Sequence, residues 1–280
     1  PLELRIYFEG QEIDSYETFF NAYNLSYQAN EHLKTDLTLS AFQTYESETF
    51  DILGQYWLSE VDNDLGSESF GEASFNIGVG SHLNHARNYL QATVYNMEHK
   101  GVYFKNDFEF RWGIKGQKEQ IKDEINEWTL IDSSDYSLPH PVDSIGIGLQ
   151  NPTSFILDES LRTAINLDSY RYNAYMQFEN KLGRFNLNSG IRTSYWTLNE
   201  EYLFSPRASL SYQPLWDKDI VFRFATGYYY QTPFYRELRD LNGNLNTNIK
   251  SQKSIHYVLG SDYNFKIWQR PFKLVTELYY

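Results

Sequence analysis

The chain has 280 residues, 41% hydrophobic and 18% aromatic, with 24 Tyr, 19 Phe and 6 Trp but only 2 Met. No run approaches the roughly 18 to 20 apolar residues of a transmembrane helix. A net charge of −13 argues against a nucleic-acid groove, which needs clustered Lys and Arg. Cysteine is absent, so there is no disulfide framework and no thiolate metal site.

Period-2 alternation begins at once and recurs along the chain. In LELRIYF, Leu2, Leu4, Ile6 and Phe8 share one face while Glu3 and Arg5 take the other. Residues 17–29 and 34–47 follow as predicted strands, then 87–98. In 107–121, Phe108, Phe110, Trp112 and Ile114 oppose Glu109, Arg111, Lys115 and Gln117. Next come 168–180 and 184–197, where Phe185, Leu187, Ile191 and Tyr195 oppose Arg184, Asn186, Asn188 and Arg192. The series closes with 206–213, 219–231, 252–265 and 271–280, making roughly eleven strands. Many exceed ten residues, and a tilted strand needs about 9 to 11 to cross a bilayer.

The connections ANEHL, HKGVYFKN, KLG, PLWDKD and KIWQR are short. Between them lie 9–16, 48–86, 122–167, 198–205 and 232–251, mostly longer and polar. Such alternation predicts an antiparallel up-and-down transmembrane β-barrel, with short turns on one side and long loops on the other. Tyr228, Tyr229 and Tyr230 then fall at the loop end beside Tyr195 and Trp196, and Trp216 and Trp268 at the turn end, as two aromatic belts. Arg223 cannot face lipid, at a cost of about 2 to 4 kcal/mol near the midplane. It is expected to face an enclosed lumen with Arg111, Arg184 and Arg192, while Phe222 and Phe224 face out.

At 219–265 a pattern resembles the barrel of TonB-dependent outer-membrane receptors, in the Tyr-rich style of the Bacteroidota-type group. Its residues are Pro233, Glu237 and Leu238, then Asn248, Ile249, Lys250, Lys253, Ser254 and Gly260; Ser205, Pro206 and Arg207 add a receptor-like hairpin. Ser251 and Gln252 stand where the family often has Pro-Glu. The resemblance covers most of the chain in style and is specific mainly over 184–280. It implies an outer-membrane protein of a Gram-negative bacterium that takes up a siderophore, cobalamin, glycan or peptide. Implied partners are TonB, acting through a plug, outer-membrane lipid and the nutrient itself, with a surface lipoprotein left open. Family members close 22 strands around a plug, so 1–280 reads as a partial barrel domain, about half of that, with plug and remaining strands absent. A plugless porin or secretion/adhesion barrel and a soluble all-β binding module stay open as alternatives.

Candidate chemistry is sparse. Tyr229, Gln231, Tyr235 and Arg236 are the ligand-binding candidates, since rings stack on sugars or chelates and an Arg meets an anionic group. His82 and His85 are expected on a loop without a third ligand, so a surface pair is preferred to a metal site. Glu46, Glu48 and Asp51, and Asp62 and Asp64, lack the spacing of a calcium loop and read as a solvated acidic rim. GVGS (78–81) and IGIG (145–148) are Gly-bearing turns. Glu200 and Glu201 are adjacent and so face opposite ways on a strand; no catalytic pair, cofactor site or enzyme chemistry is expected.

Overall fold

The computed structural model describes residues 1–131 and 156–280, with backbone alone over 75–79. Ten strands run in chain order: β1 Leu2–Gln28, β2 Leu33–Val61, β3 Ala73–Lys105, β4 Phe108–Ile131, β5 Ile156–Leu182, β6 Phe185–Trp196, β7 Glu201–Tyr212, β8 Asp219–Gln231, β9 Gln252–Ile267 and β10 Arg270–Tyr279. They form one sheet in sequence order, each strand beside its chain neighbours.

Strand existence is as the alternation predicts, but five strands are much longer. Segments 1–8 and 17–29 are one strand, so the expected connection 9–16 is strand too. Of the expected loop 48–86, only 62–72 lies between strands. The described parts of 122–167 continue β4 and β5, and only 197–200 separates β6 from β7; IGIG lies outside the described residues. The reason is physical. Hydrophobic alternation marks a strand with one apolar face; where both faces meet water the ladder persists without that pattern.

Contact clustering divides the strands into two compact units. One holds Pro1–Thr18, Thr44–Gln91 and the described part of Ile121–Asn166; the other holds Phe19–Gln43, Ala92–Gln120 and Leu167–Tyr280. In the second unit, β6 to β10 contain 12, 12, 13, 16 and 10 residues, about the length a bilayer crossing requires.

Register defines two chemically different faces there. Leu187, Leu210, Phe224, Leu259 and Leu278 pair in turn across β6 to β10 as one unbroken apolar row. All five side chains are exposed, Leu278 by 70%. On the other face Asn186, Ser211, Arg223, Gly260 and Glu277 make the matching polar row. Arg223 Nη2 crosses Gly260 to reach Glu277 Oε1 at 3.1 Å and also bonds Asp262 Oδ1 at 2.7 Å. Gly260 fits between them because a Cβ there would stand 3.5 Å from Glu277 and 3.6 Å from Arg223. Lys273 completes the network, 3.0 Å from Asp262.

The rings sort by the same parity. Tyr172, Tyr195 and Tyr202 pair in one row on the apolar face, and Tyr228 and Tyr230 lie there too, with the Lys253 ammonium 4.7 Å from the Tyr228 centroid. Trp216 and Trp268 stand exposed at the short-turn end. The Trp268–Gln269 turn has positive φ at both residues, 50° and 62°, the geometry of a tight two-residue hairpin. Trp196 departs from the expected belt: it follows Tyr195 on an alternating strand, points to the polar face and is only 3% exposed.

Candidate functional site

At the loop end of β6 to β8 the polar face carries a ring-and-guanidinium arrangement. Arg207 pairs with Gly190 on one side and Gly227 on the other. A Cβ on Gly227 would come within 2.8 Å of Arg207 Cγ, so glycine lets the arginine stem lie across β8. Its guanidinium then rests 4.2 Å from the Tyr229 centroid, and the same ring stacks on His256 at 4.6 Å. One strand over, the Arg192 guanidinium is 5.9 Å from the Tyr175 centroid. These side chains line a cavity of about 660 Å³, together with Lys100 and Arg111.

Beside it sits a closed knot. Arg171 lies 3.6 Å from the Trp196 ring centroid and pairs with Glu119 at 2.9 Å. Trp196 Nε1 donates to Ser169 Oγ at 3.2 Å, and that hydroxyl donates to Glu119 Oε2 at 3.2 Å. Every member of this buried group has a named partner, which satisfies the charges it removes from water. Arg171 Nη1 also donates to Thr232 Oγ1 at 3.1 Å, tying the knot to the loop after β8.

That loop, 232–251, is shaped by the residues that carry the family resemblance. Pro233 is buried, and the single 3-10 turn Tyr235–Leu238 follows it. Glu237 Oε2 accepts from the Phe234 amide at 2.8 Å, capping the turn, and Leu238 is fully buried. The far end is pinned when the Ser251 amide donates to Glu201 Oε2 at 3.0 Å.

The ligand candidates separate accordingly. Tyr229 and Gln231 share the polar face of β8, Gln231 at its exposed end; Tyr235 and Arg236 stand in the 3-10 turn. Arg192 and Arg223 lie on polar-face positions, and Arg111, bonded to Glu109, opens on the same cavity as Arg192. Arg184 is in the turn between β5 and β6 and belongs to neither face. Arg207, Arg171, Trp196 and Glu201 are the functional-end residues that the sequence reading did not single out. Strand parity carried through Ser205, Ser209 and Ser211 was the signal for Arg207.

His82 and His85 lie in β3 rather than on a loop, three residues apart and so on opposite faces. His85 Nδ1 is 2.5 Å from Asp51 Oδ1 and its ring stacks on Trp128 at 4.5 Å; Arg87 shares the same carboxylate. Asp62 and Asp64 accept from nearby amides within their own turn, Asp64 N to Asp62 at 2.9 Å and Gly66 N to Asp64 at 2.9 Å. Among the described residues no three His, Asp or Glu side chains converge as a metal site.

A meander of antiparallel strands, ringed on one face and charged on the other, is the wall of a transmembrane β-barrel. The family described as TonB dependent receptor-like, beta-barrel matches residues 4–280. The chain belongs to that family. No curated protein matches it. Similar solved structures include the copper transporter OprC, at 12% identity and TM-score 0.43, covering 93% of this chain and 47% of that one. The siderophore receptor PirA from Pseudomonas aeruginosa matches at 11% and 0.43, covering 99% and 48%. The RagAB peptide transporter matches at 6% and 0.42, covering 94% and 30%. The chain thus spans about half or less of these structures.

Proposed function

We propose that this chain is part of an outer-membrane receptor that imports a scarce nutrient, with energy coupled through TonB. Family membership over residues 4–280 is the observation that carries the reading. The apolar row Leu187–Leu210–Phe224–Leu259–Leu278 suits hydrocarbon, and the charged row through Arg223 suits a wet lumen. On this reading Arg111, Arg192 and Arg223 face the lumen. Nutrient is met at the loop end, by Tyr229 and Gln231 on the wall and Tyr235 and Arg236 above it. β1 and β10 each have one neighbour in the sheet order, and an unpaired edge is not tolerated in lipid. The strands here therefore form one part of the 1–280 barrel domain's complete wall, closed by further strands.

The test is uptake by a bacterium whose full-length gene is deleted, restored from a plasmid, with and without TonB. Loss on deletion, and failure of the restored gene without TonB, is the expected result. Uptake that persists without TonB would instead make this a passive porin.

A further inference from the structure

We propose that the cavity between β6, β7 and β8 is a binding site for a small, diffusible oxyanion, carrying carboxylate or phosphate groups, with Arg192 and Arg207 as its ligands. This rests on the receptor reading above and names the chemistry that the loop end of the wall recognises.

The argument begins with charge. The whole chain carries −13, yet this cavity is lined by Lys100, Arg111, Arg192 and Arg207 against a single carboxylate, Glu98. Glu98 is taken by Lys100 at 2.8 Å, and Arg111 is paired with Glu109. Arg192 and Arg207 are different. Among the described residues neither has a carboxylate partner; each has a tyrosine face instead, Tyr175 and Tyr229.

The geometry converts that surplus into a site. A guanidinium laid on a ring is held flat at little entropic cost while its N–H edges stay free to grip an oxyanion in pairs. Gly227 is what admits the Arg207 stem to this position, and His256 backs Tyr229 from the other side. The ring contacts preorganise both cations without neutralising them. The volume, about 660 Å³, falls in the range of small-molecule pockets, roughly 300–1,000 Å³. That size favours a free solute over an inserted protein segment.

The experiment uses the purified full-length receptor in detergent at low salt, titrated calorimetrically with succinate, with inorganic phosphate, and with glucose as the uncharged control. The expected result is saturable binding of at least one anion, weakened by added salt, and none of glucose. The double variant Arg192→Gln, Arg207→Gln should lose at least about 10-fold in affinity, the scale of one or more charge-assisted hydrogen bonds. Arg192→Lys, Arg207→Lys keeps the charge but not the fork and should fall between. Heat-modifiable gel migration confirms that each variant is folded. The inference is overturned if neither anion binds the wild type, or if the folded Gln double variant binds as the wild type does. Absent binding together with a lower unfolding temperature in the Gln variant would mean that an acidic segment of the receptor itself covers these arginines, which also overturns it. TonB-dependent uptake of an uncharged nutrient alongside failed anion binding would sink this inference and leave the receptor reading intact.

Discussion

Arg223 on β8 reaches over Gly260 of β9 to the Glu277 carboxylate of β10, 3.1 Å away, and holds Asp262 at 2.7 Å on the way. One side chain thus ties three strands across the polar face. Replacing it with Gln leaves Asp262 and Glu277 facing each other with only Lys273 between the strands as compensation. Arg223→Gln is expected to lower the unfolding temperature of the full-length receptor by roughly 2 to 4 °C, the size expected when one exposed charge network is lost. Adding Glu277→Gln to it should recover part of that loss, read by the same thermal melt.

Phe224 and Ser209 sit on neighbouring strands but opposite faces, since Phe224 pairs with Leu210 and Ser209 with Ala225. An arginine at Phe224 should destabilise the protein in lipid vesicles by about 2 to 4 kcal/mol. An arginine at Ser209 should cost far less. Chemical denaturation in vesicles compares the two directly.

Trp196 is the largest ring buried at the loop end, 3% exposed, and it carries both the Arg171 stack and the Ser169 hydrogen bond. Trp196→Ala removes all three roles, and about 3 to 5 kcal/mol of stability should go with it. Trp196→Phe keeps a ring under the guanidinium and should cost clearly less in equilibrium unfolding.

Asp62 organises the 62–72 loop, accepting from Ser69 Oγ at 2.8 Å and from the Asp64 amide at 2.9 Å. Ser67 foremost, then the Asp64 amide and Ser69, hold its carboxyl below the ordinary 3.8. A depressed folded value means the contribution is complete above about pH 3.8 and is lost as pH falls through the lower, folded value. Amide exchange in 62–72 should therefore accelerate below about pH 3.8 in the wild type. Asp62→Asn should flatten that step, because the titrating group is gone.

Much of this was legible in the chain because the bilayer imposes a simple rule: alternate residues face hydrocarbon or water, so Phe222 and Phe224 against Arg223 could be read from spacing alone. The same rule, applied one residue further, separates Trp196 from Tyr195 and puts Tyr229 opposite Tyr228 and Tyr230. Cluster-based reading of aromatic runs blurs that distinction. The long extensions of β1 to β5 were hidden because a strand wet on both faces carries no apolar period. The roles of Gly227 and Gly260 depend on what crosses them from neighbouring strands, and Glu201 holds a residue 50 positions away. Such relations exist only in register, which single-strand patterns do not contain.

The central claim is that rings and aliphatic chains of β6 to β10 contact lipid while the interleaved polar positions contact water. The chain lacks cysteine, so single cysteines can be placed in the full-length receptor at Leu210, Phe224 and Leu259, and at Ser209, Ala225 and Val258, each bearing a nitroxide in vesicles. The first three labels should collide mainly with oxygen dissolved in the bilayer, and the second three mainly with a water-soluble nickel chelate. The reverse pattern, or equal exposure of both sets to the chelate, would contradict the account.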